Sequence, residues 1–216
     1  MEDIYSNFDL VLSAFWLTIQ LLVISGIASL VFGTVLAAMR VGPVSVLAKA
    51  GALYVSVIRN TPLLVVFIFV FVAMPKLELN FSSFLVKGVI ALTVYTSAFV
   101  CEAIRSGVNS VPMGQAEASR AIGLTFAGSM RFVILPQALR AVVPPLASVI
   151  IALAKNTSIA AAFGLLEATA RMRFFTNNNA DDRPLIFITF AIGYIIIVEA
   201  LSAGAHGLER RWRIAR

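Results

Sequence analysis

Lys155, Asn156, Thr157 and Ser158 stand side by side within a largely apolar stretch, 141–163. An ammonium group there can hold a carboxylate, and the amide and hydroxyls beside it can hydrogen-bond the same guest. Lys155 lies about ten residues past Pro145, or ~15 Å along a helix rising 1.5 Å per residue. If the stretch crosses a bilayer, Lys155 falls near its middle. Ionisable groups are costly there and mark pathways or pairs. Two readings stay open for Lys155: a substrate-pathway residue, or half of an interhelical pair.

Glu102 and Glu199 are the other charges inside apolar runs. Arg105 follows Glu102 by one helical turn, so a local pair is predicted. Glu199 stands about two turns from the end of its run and is read as structural. Arg59-Asn60-Thr61-Pro62 is a further polar insertion. Pro62 interrupts the backbone ladder, and the freed carbonyls need partners. The insertion is either an interfacial helix start with Arg59 at the headgroups, or a broken helix whose Asn60 and Thr61 line a translocation path.

Other chemistry is excluded. The chain has one cysteine (Cys101) and one histidine (His206), so neither an internal disulfide nor a cysteine zinc cluster can form, and a histidine metal site is not expected. The phosphate-binding pattern G-x-x-x-x-G-K-[ST] is missing, as are H-E-x-x-H and G-x-S-x-G. No catalytic residues and no cofactor are assigned, and any ATP must be hydrolysed by another chain.

Helices in lipid must position these residues. The composition is 60% hydrophobic and 13% charged, with mean hydropathy +0.93. Soluble domains carry about 25% charged residues. Membrane lipid is therefore the partner of most of the surface. The net charge of +6 does not point to nucleic acid, because the basic residues gather at the ends of apolar runs. The N-terminus is acidic (Glu2, Asp3, Asp9) and has no basic region before the first run, so no cleavable signal peptide is expected.

Five membrane spans are read at about 10–39, 50–74, 84–104, 141–163 and 184–205, from a need of about 20 apolar residues each. Continuous apolar runs require helices rather than barrel strands. The fold class is all-α integral membrane, in a single transmembrane domain, 1–216.

Orientation follows the basic residues. With the N-terminus outside, Arg40, Lys49, Arg59, Arg105, Arg120, Arg131, Arg140, Arg210, Arg211, Arg213 and Arg216 lie inside. Only Lys76, Lys87, Arg171, Arg173 and Arg183 lie outside, together with Glu78, Glu167, Asp181 and Asp182. The prediction is N-out/C-in. The outer stretch 164–183, with its Asn and Asp run, reads as a solvated loop.

This topology puts the polar segment 105–140 in the cytoplasm. Pro112 suits a first helical turn. Met113 to Ile122 are good helix formers, Gly123 takes the left-handed stop, and Leu124 supplies the accompanying contact. Thr125 caps a second helix, Phe126 to Leu135, which Pro136 ends or kinks. Small residues (Ala116, Ala118, Ser119, Ala121) let a partner surface approach the first helix. The alternative is a solvated connector that happens to be helical.

The run Gly114-Gln115-Ala116-Glu117-Ala118-Ser119, then Gly123, then Ile134-Leu135-Pro136, resembles the EAA signature of ABC-importer permeases. Ser119 replaces the second alanine of that signature, and Val133-Ile134-Leu135-Pro136 keeps only part of its final spacing. Further stretches resemble the polar amino-acid branch, of glutamate, glutamine or histidine type. They are Arg59-Asn60-Thr61-Pro62-Leu63-Leu64, Glu102-Ala103-Ile104-Arg105, Leu135-Pro136-Gln137-Ala138-Leu139-Arg140, Pro144-Pro145-Leu146, Lys155-Asn156-Thr157-Ser158 and Leu208-Glu209-Arg210-Arg211. The likeness runs in order through nearly the whole chain.

It implies a type I importer permease in a bacterial cytoplasmic membrane. It also implies a second permease subunit, an ABC ATPase dimer carrying ATP and Mg, and an external or periplasmic solute-binding protein. The cytoplasmic EAA loop then provides a coupling helix that docks on the ATPase, through Ala116, Glu117, Ala118, Ser119, Arg120, Gly123, Leu135 and Pro136. Glu117 either touches the partner or holds the loop together. Two other classes remain: a pore or secondary transporter driven by an ion gradient, which leaves the ordered cytoplasmic helix without a purpose, and a membrane scaffold, which explains neither Lys155 nor the break at Pro62.

Overall fold

The computed structural model describes residues 6–79, 81 and 83–212. Of the charges used for orientation, Glu2, Asp3, Arg213 and Arg216 lie outside the described residues, as does the side chain of Arg211. Among the described residues every regular element is helical.

α1 (Phe8–Val41) is a long apolar helix. α2 (Ser45–Arg59) follows, then α3 (Leu63–Ile68), a π-helical turn (Phe69–Ala73) and α4 (Met74–Lys76). α5 spans Phe84–Asn109. α6 (Met113–Ala121) and α7 (Phe126–Ser129) form the polar segment. A second π-helical turn (Met130–Ile134) leads into α8 (Leu135–Asn156), which tightens to a 3₁₀ helix at Thr157–Phe163. α9 (Ala168–Asn178) and α10 (Arg183–Trp212) complete the chain.

Four helical stretches are long and apolar enough to cross a bilayer: Phe8–Val41, Phe84–Asn109, Phe126–Phe163 and Arg183–Arg210. The stretch expected to hold the second span does not run straight. It breaks between Arg59 and Leu63 and bends by 103°. Pro62 supplies the break, since it cannot donate to the ladder and its ψ of 138° leaves the helical region. Thr61 Oγ1 donates to the Val57 carbonyl at 2.8 Å, and Asn60 Nδ2 to that of Ser56 at 2.7 Å. These bonds give carbonyls at the end of α2 side-chain partners.

α5 is the central helix. Ala91, Leu92, Ala98, Val100 and Cys101 are buried along it, and it packs chiefly on α1 and α8. Small residues let α1 and α5 approach closely, the usual route to tight packing where lipid offers no hydrophobic drive. A Cβ added to Gly33 of α1 would sit 2.8 Å from the Ser97 carbonyl oxygen of α5. At the far end, Phe67, Phe71 and Phe163 pack ring on ring, with centroids 5.1–5.8 Å apart.

One expectation is narrowed and one is corrected. Pro136 does not end the helix begun at Phe126. The ladder widens in a π turn, with Leu135 N–H donating to the Met130 carbonyl five residues back, and continues as α8. Pro75 is treated alike: the π turn before it closes with Met74 N–H donating to the Phe69 carbonyl. In both places the N–H that closes the wide turn belongs to the residue just before the proline, whose own missing N–H would otherwise break the ladder. The correction concerns 164–183. It is not a solvated loop, because α9 occupies most of it and Glu167, which caps α9, is fully buried.

Candidate functional site

The polar segment is a locked hook. Gly123 has φ of +86°, the left-handed conformation that terminates α6. Its N–H donates to the Arg120 carbonyl at 2.9 Å, and Leu124 N–H reaches back to the Ser119 carbonyl at 3.1 Å. These paired bonds make the Schellman stop that the glycine permits. Thr125 Oγ1 then accepts from Gly128 N–H at 3.2 Å and caps α7. Ser119 Oγ donates to Ser129 Oγ at 2.7 Å, with both side chains buried, so α6 is tied to the foot of the next helix.

The outer side of the hook is unsatisfied. Met113 and Ile122 are 77% and 79% exposed, and Phe126 and Phe132 are exposed beside them. Glu117, Ala118 and Arg120 are exposed, and Ala116 is half-buried. Glu117 makes no hydrogen bond or ion pair among the described residues. Leu135 and Pro136 are exposed past the π turn. A rigid element showing apolar side chains around one free carboxylate has the chemistry of a docking surface.

The polar run at the end of α8 is divided by its own geometry. Lys155 and Ser158 line a cavity of about 480 Å³ with Thr169, Tyr194 and Glu199. Asn156 faces a separate cavity of about 360 Å³, with Tyr95, Thr96, Phe99 and Ser148. Thr157 is buried, its hydroxyl donating to the Ala154 carbonyl at 2.7 Å. Asn60 and Thr61 lie in neither cavity; Asn60 belongs to a third, near Glu102. Lys155 and Glu199 share a cavity, but no ion pair among the described residues joins them. The second cavity holds an open request: Thr96 is buried and its hydroxyl has no partner among the described residues. A buried hydroxyl left so costs free energy unless a guest or water meets it.

Glu102 does pair with Arg105, at 3.0 Å. It also bonds Arg40 from the end of α1, and Arg59 Nη1 stands 3.6 Å away at the end of α2. One carboxylate thus gathers three helices.

The sequence reading missed Glu167. Tyr194 Oη donates to its Oε2 at 2.6 Å, Thr18 Oγ1 stands 3.4 Å from the same oxygen, and Ala170 N–H donates to Oε1 at 3.0 Å. Thr18 Oγ1 also accepts from Ala168 N–H at 3.1 Å. Burial pushes the Glu167 carboxyl above its ordinary range, and the donors around it offset part of that rise. The carboxyl joins α1, α9 and α10, and it holds Tyr194 in the wall of the Lys155 cavity. The available signal was Thr18 and Tyr194, lone polar groups in apolar runs that need buried partners.

Comparison with known proteins bears on these surfaces. The family described as binding-protein-dependent transport system inner membrane component matches residues 10–214. A glutamate transport system permease protein of Corynebacterium efficiens is 41% identical over 216 residues, covering 95% of each chain. A probable glutamine ABC transporter permease of Bacillus subtilis is 35% identical over 208 residues, covering 96% of this chain and 95% of that one. Among solved structures, an amino acid ABC transporter crystallised with histidines superposes with TM-score 0.88 at 27% identity, over 97% of both chains. The inward-facing MetNI methionine ABC transporter gives 0.79 at 21% identity, over 97% of this chain and 99% of that one, which is a likeness of fold.

Proposed function

This chain belongs to the binding-protein-dependent transport system inner membrane component family, and on that premise we propose that it is the permease subunit of an ATP-driven importer of acidic or amide amino acids. Its family is one of translocation subunits rather than enzymes. Relatives named for glutamate and glutamine at 41% and 35% identity support the cargo class.

The observation that carries the mechanism is the locked hook. An ATPase dimer grips α6 through Met113, Glu117, Arg120 and Ile122. Closure of that dimer pushes the hook, and the tie from Ser119 to Ser129 passes the push into the foot of α8. The π turn at Met130–Ile134 lets that helix continue past Pro136 into the membrane. Tilting of α8 moves Lys155 and Asn156 together and switches the cavities between the two faces. A second permease subunit completes the path, and an external solute-binding protein delivers the cargo. The chain lies N-out/C-in in a bacterial cytoplasmic membrane as one domain.

The cavity walls suit such a guest. Lys155 provides a cation for a carboxylate, and Asn156, Thr96 and Ser148 provide amide and hydroxyl partners. The test is uptake of labelled glutamate by a strain lacking this gene, with and without plasmid-borne copies, in competition with unlabelled amino acids. Restored uptake that unlabelled glutamate or glutamine suppresses supports the reading. Restored uptake suppressed only by basic or apolar amino acids contradicts the cargo assignment.

A further inference from the structure

The third cavity, of about 450 Å³, lies where the ends of α1, α2 and α5 meet. Its wall carries Arg40, Arg59 and Arg105 against a single carboxylate, Glu102. Arg40 takes Oε1 of Glu102; Arg105 takes Oε2 at 3.0 Å, with Arg59 behind it at 3.6 Å. Two positive charges are left over. Among the described residues the buried Arg105 Nε has no hydrogen-bond partner, and the further contact of Arg59 is the Phe99 ring at 5.5 Å. Uncompensated charge at the margin of lipid is costly, so this arrangement calls for an anion.

The neighbouring helix says which kind. α2 is two-faced: Gly51 and Val55 are buried, while Val46, Leu53 and Val57 are exposed. It also turns by 103° from the helix that follows. If α3 rises through the bilayer, α2 lies nearly flat along its surface, the setting of an interfacial amphipathic helix. A free anion would use the arginines and leave that apolar face unused. A phospholipid would use both, with its phosphate in the forks of Arg59 and Arg105 and its acyl chains along Val46, Leu53 and Val57. Guanidinium groups bind phosphate in this bidentate manner, and basic pockets between spans on one leaflet take anionic headgroups.

We propose that the cavity between α2 and α5 is a binding site for the phosphodiester of an anionic phospholipid, from the leaflet at which α1 ends. In the N-out orientation that is the inner leaflet.

The test uses the complete importer complex in native mass spectrometry, after exchange into mixed phosphatidylglycerol and phosphatidylcholine and stepwise delipidation. The expected result is one phosphatidylglycerol retained per copy of this chain, at least tenfold over phosphatidylcholine. Arg59→Gln with Arg105→Gln removes that preference. Lys49→Gln, on the same helix but outside the cavity, leaves it intact. If the double variant fails to assemble, Arg59→Gln alone is read, since its side chain is half-exposed. Equal retention of the two lipids overturns the proposal, as does equal loss in Lys49→Gln. Displacement of the lipid by millimolar inorganic phosphate also overturns it, by making this a site for free anions.

Discussion

The Ser119 hydroxyl lies 2.7 Å from that of Ser129, buried between the two helices of the hook. Among the described residues it is the one side-chain hydrogen bond between α6 and the foot of the long helix, so it sets how stiffly one follows the other. Removing Ser119 strands the Ser129 hydroxyl, whereas without Ser129 the Ser119 hydroxyl keeps the Ala116 carbonyl at 2.8 Å; removing both strands neither. Ser119→Ala should lower stability by about 1 kcal/mol. Ser129→Ala should cost less, since Ser119 keeps the Ala116 carbonyl, and the double variant less than the sum. Thermal midpoints of the purified chain in a double-mutant cycle check this. Strict additivity would show that the two hydroxyls are not coupled.

Glu167 yields a pH prediction. Its carboxyl is held above the ordinary 4.5 by burial. The folded chain therefore keeps a proton that the unfolded chain releases. That stabilisation is complete below the unfolded value and fades as pH rises through the folded value. Between mildly acid and neutral pH the wild-type chain should lose thermal stability that Glu167→Gln does not lose. Glu167→Leu removes the cap of the Ala170 N–H and one partner of the Tyr194 hydroxyl, at about 1–3 kcal/mol in all, while Thr18 keeps the Ala14 carbonyl and Tyr194 keeps Thr169. Melting curves across that pH window decide it, and parallel pH profiles for wild type and Glu167→Gln would contradict the assignment.

How far the sequence revealed these features depended on distance along the chain. Gly123 was legible because a helix stop and a left-handed residue leave a local mark. So was Glu102 with Arg105, three residues apart. Arg40 joins the same carboxylate from 62 residues away, and no spacing rule reaches that far. Glu167 was hidden by a polar neighbourhood that read as loop. Pro136 left an end and a kink both open, because a π turn absorbs a missing N–H without any composition signal. The polar run at 155–158 read as one site, but helical geometry turns Lys155 and Ser158 one way and Asn156 another.

Close packing between α1 and α5 gives a further expectation. Gly33→Ala puts a methyl 2.8 Å from the Ser97 carbonyl and against Val100. Overpacking of this kind costs about 1–3 kcal/mol. Gly204→Ala meets nothing within 4 Å and should be neutral. Yields of monodisperse protein and thermal midpoints compare the two, and equal behaviour would show that the α1–α5 contact yields freely.

Lys155 is expected to act on cargo and not on folding, since no ion pair among the described residues holds it. Lys155→Met should leave the thermal midpoint unchanged and raise the glutamate concentration needed for half-maximal uptake by tenfold or more. Uptake in proteoliposomes with unchanged half-saturation would remove Lys155 from the pathway.

The central claim, that α6 passes motion from an ATPase to the spans, is tested most directly at Gly123. An added Cβ meets nothing within 4 Å there, so Gly123→Val acts through backbone strain alone, about 1–2 kcal/mol for a left-handed residue. ATP hydrolysis and uptake of labelled glutamate are measured on the same proteoliposomes, with ATPase, second permease subunit and binding protein present. The account predicts ATP-dependent uptake for the wild type, and for Gly123→Val continued hydrolysis with uptake largely lost. Undiminished uptake in Gly123→Val, or wild-type uptake that follows an ion gradient without ATP, would contradict it.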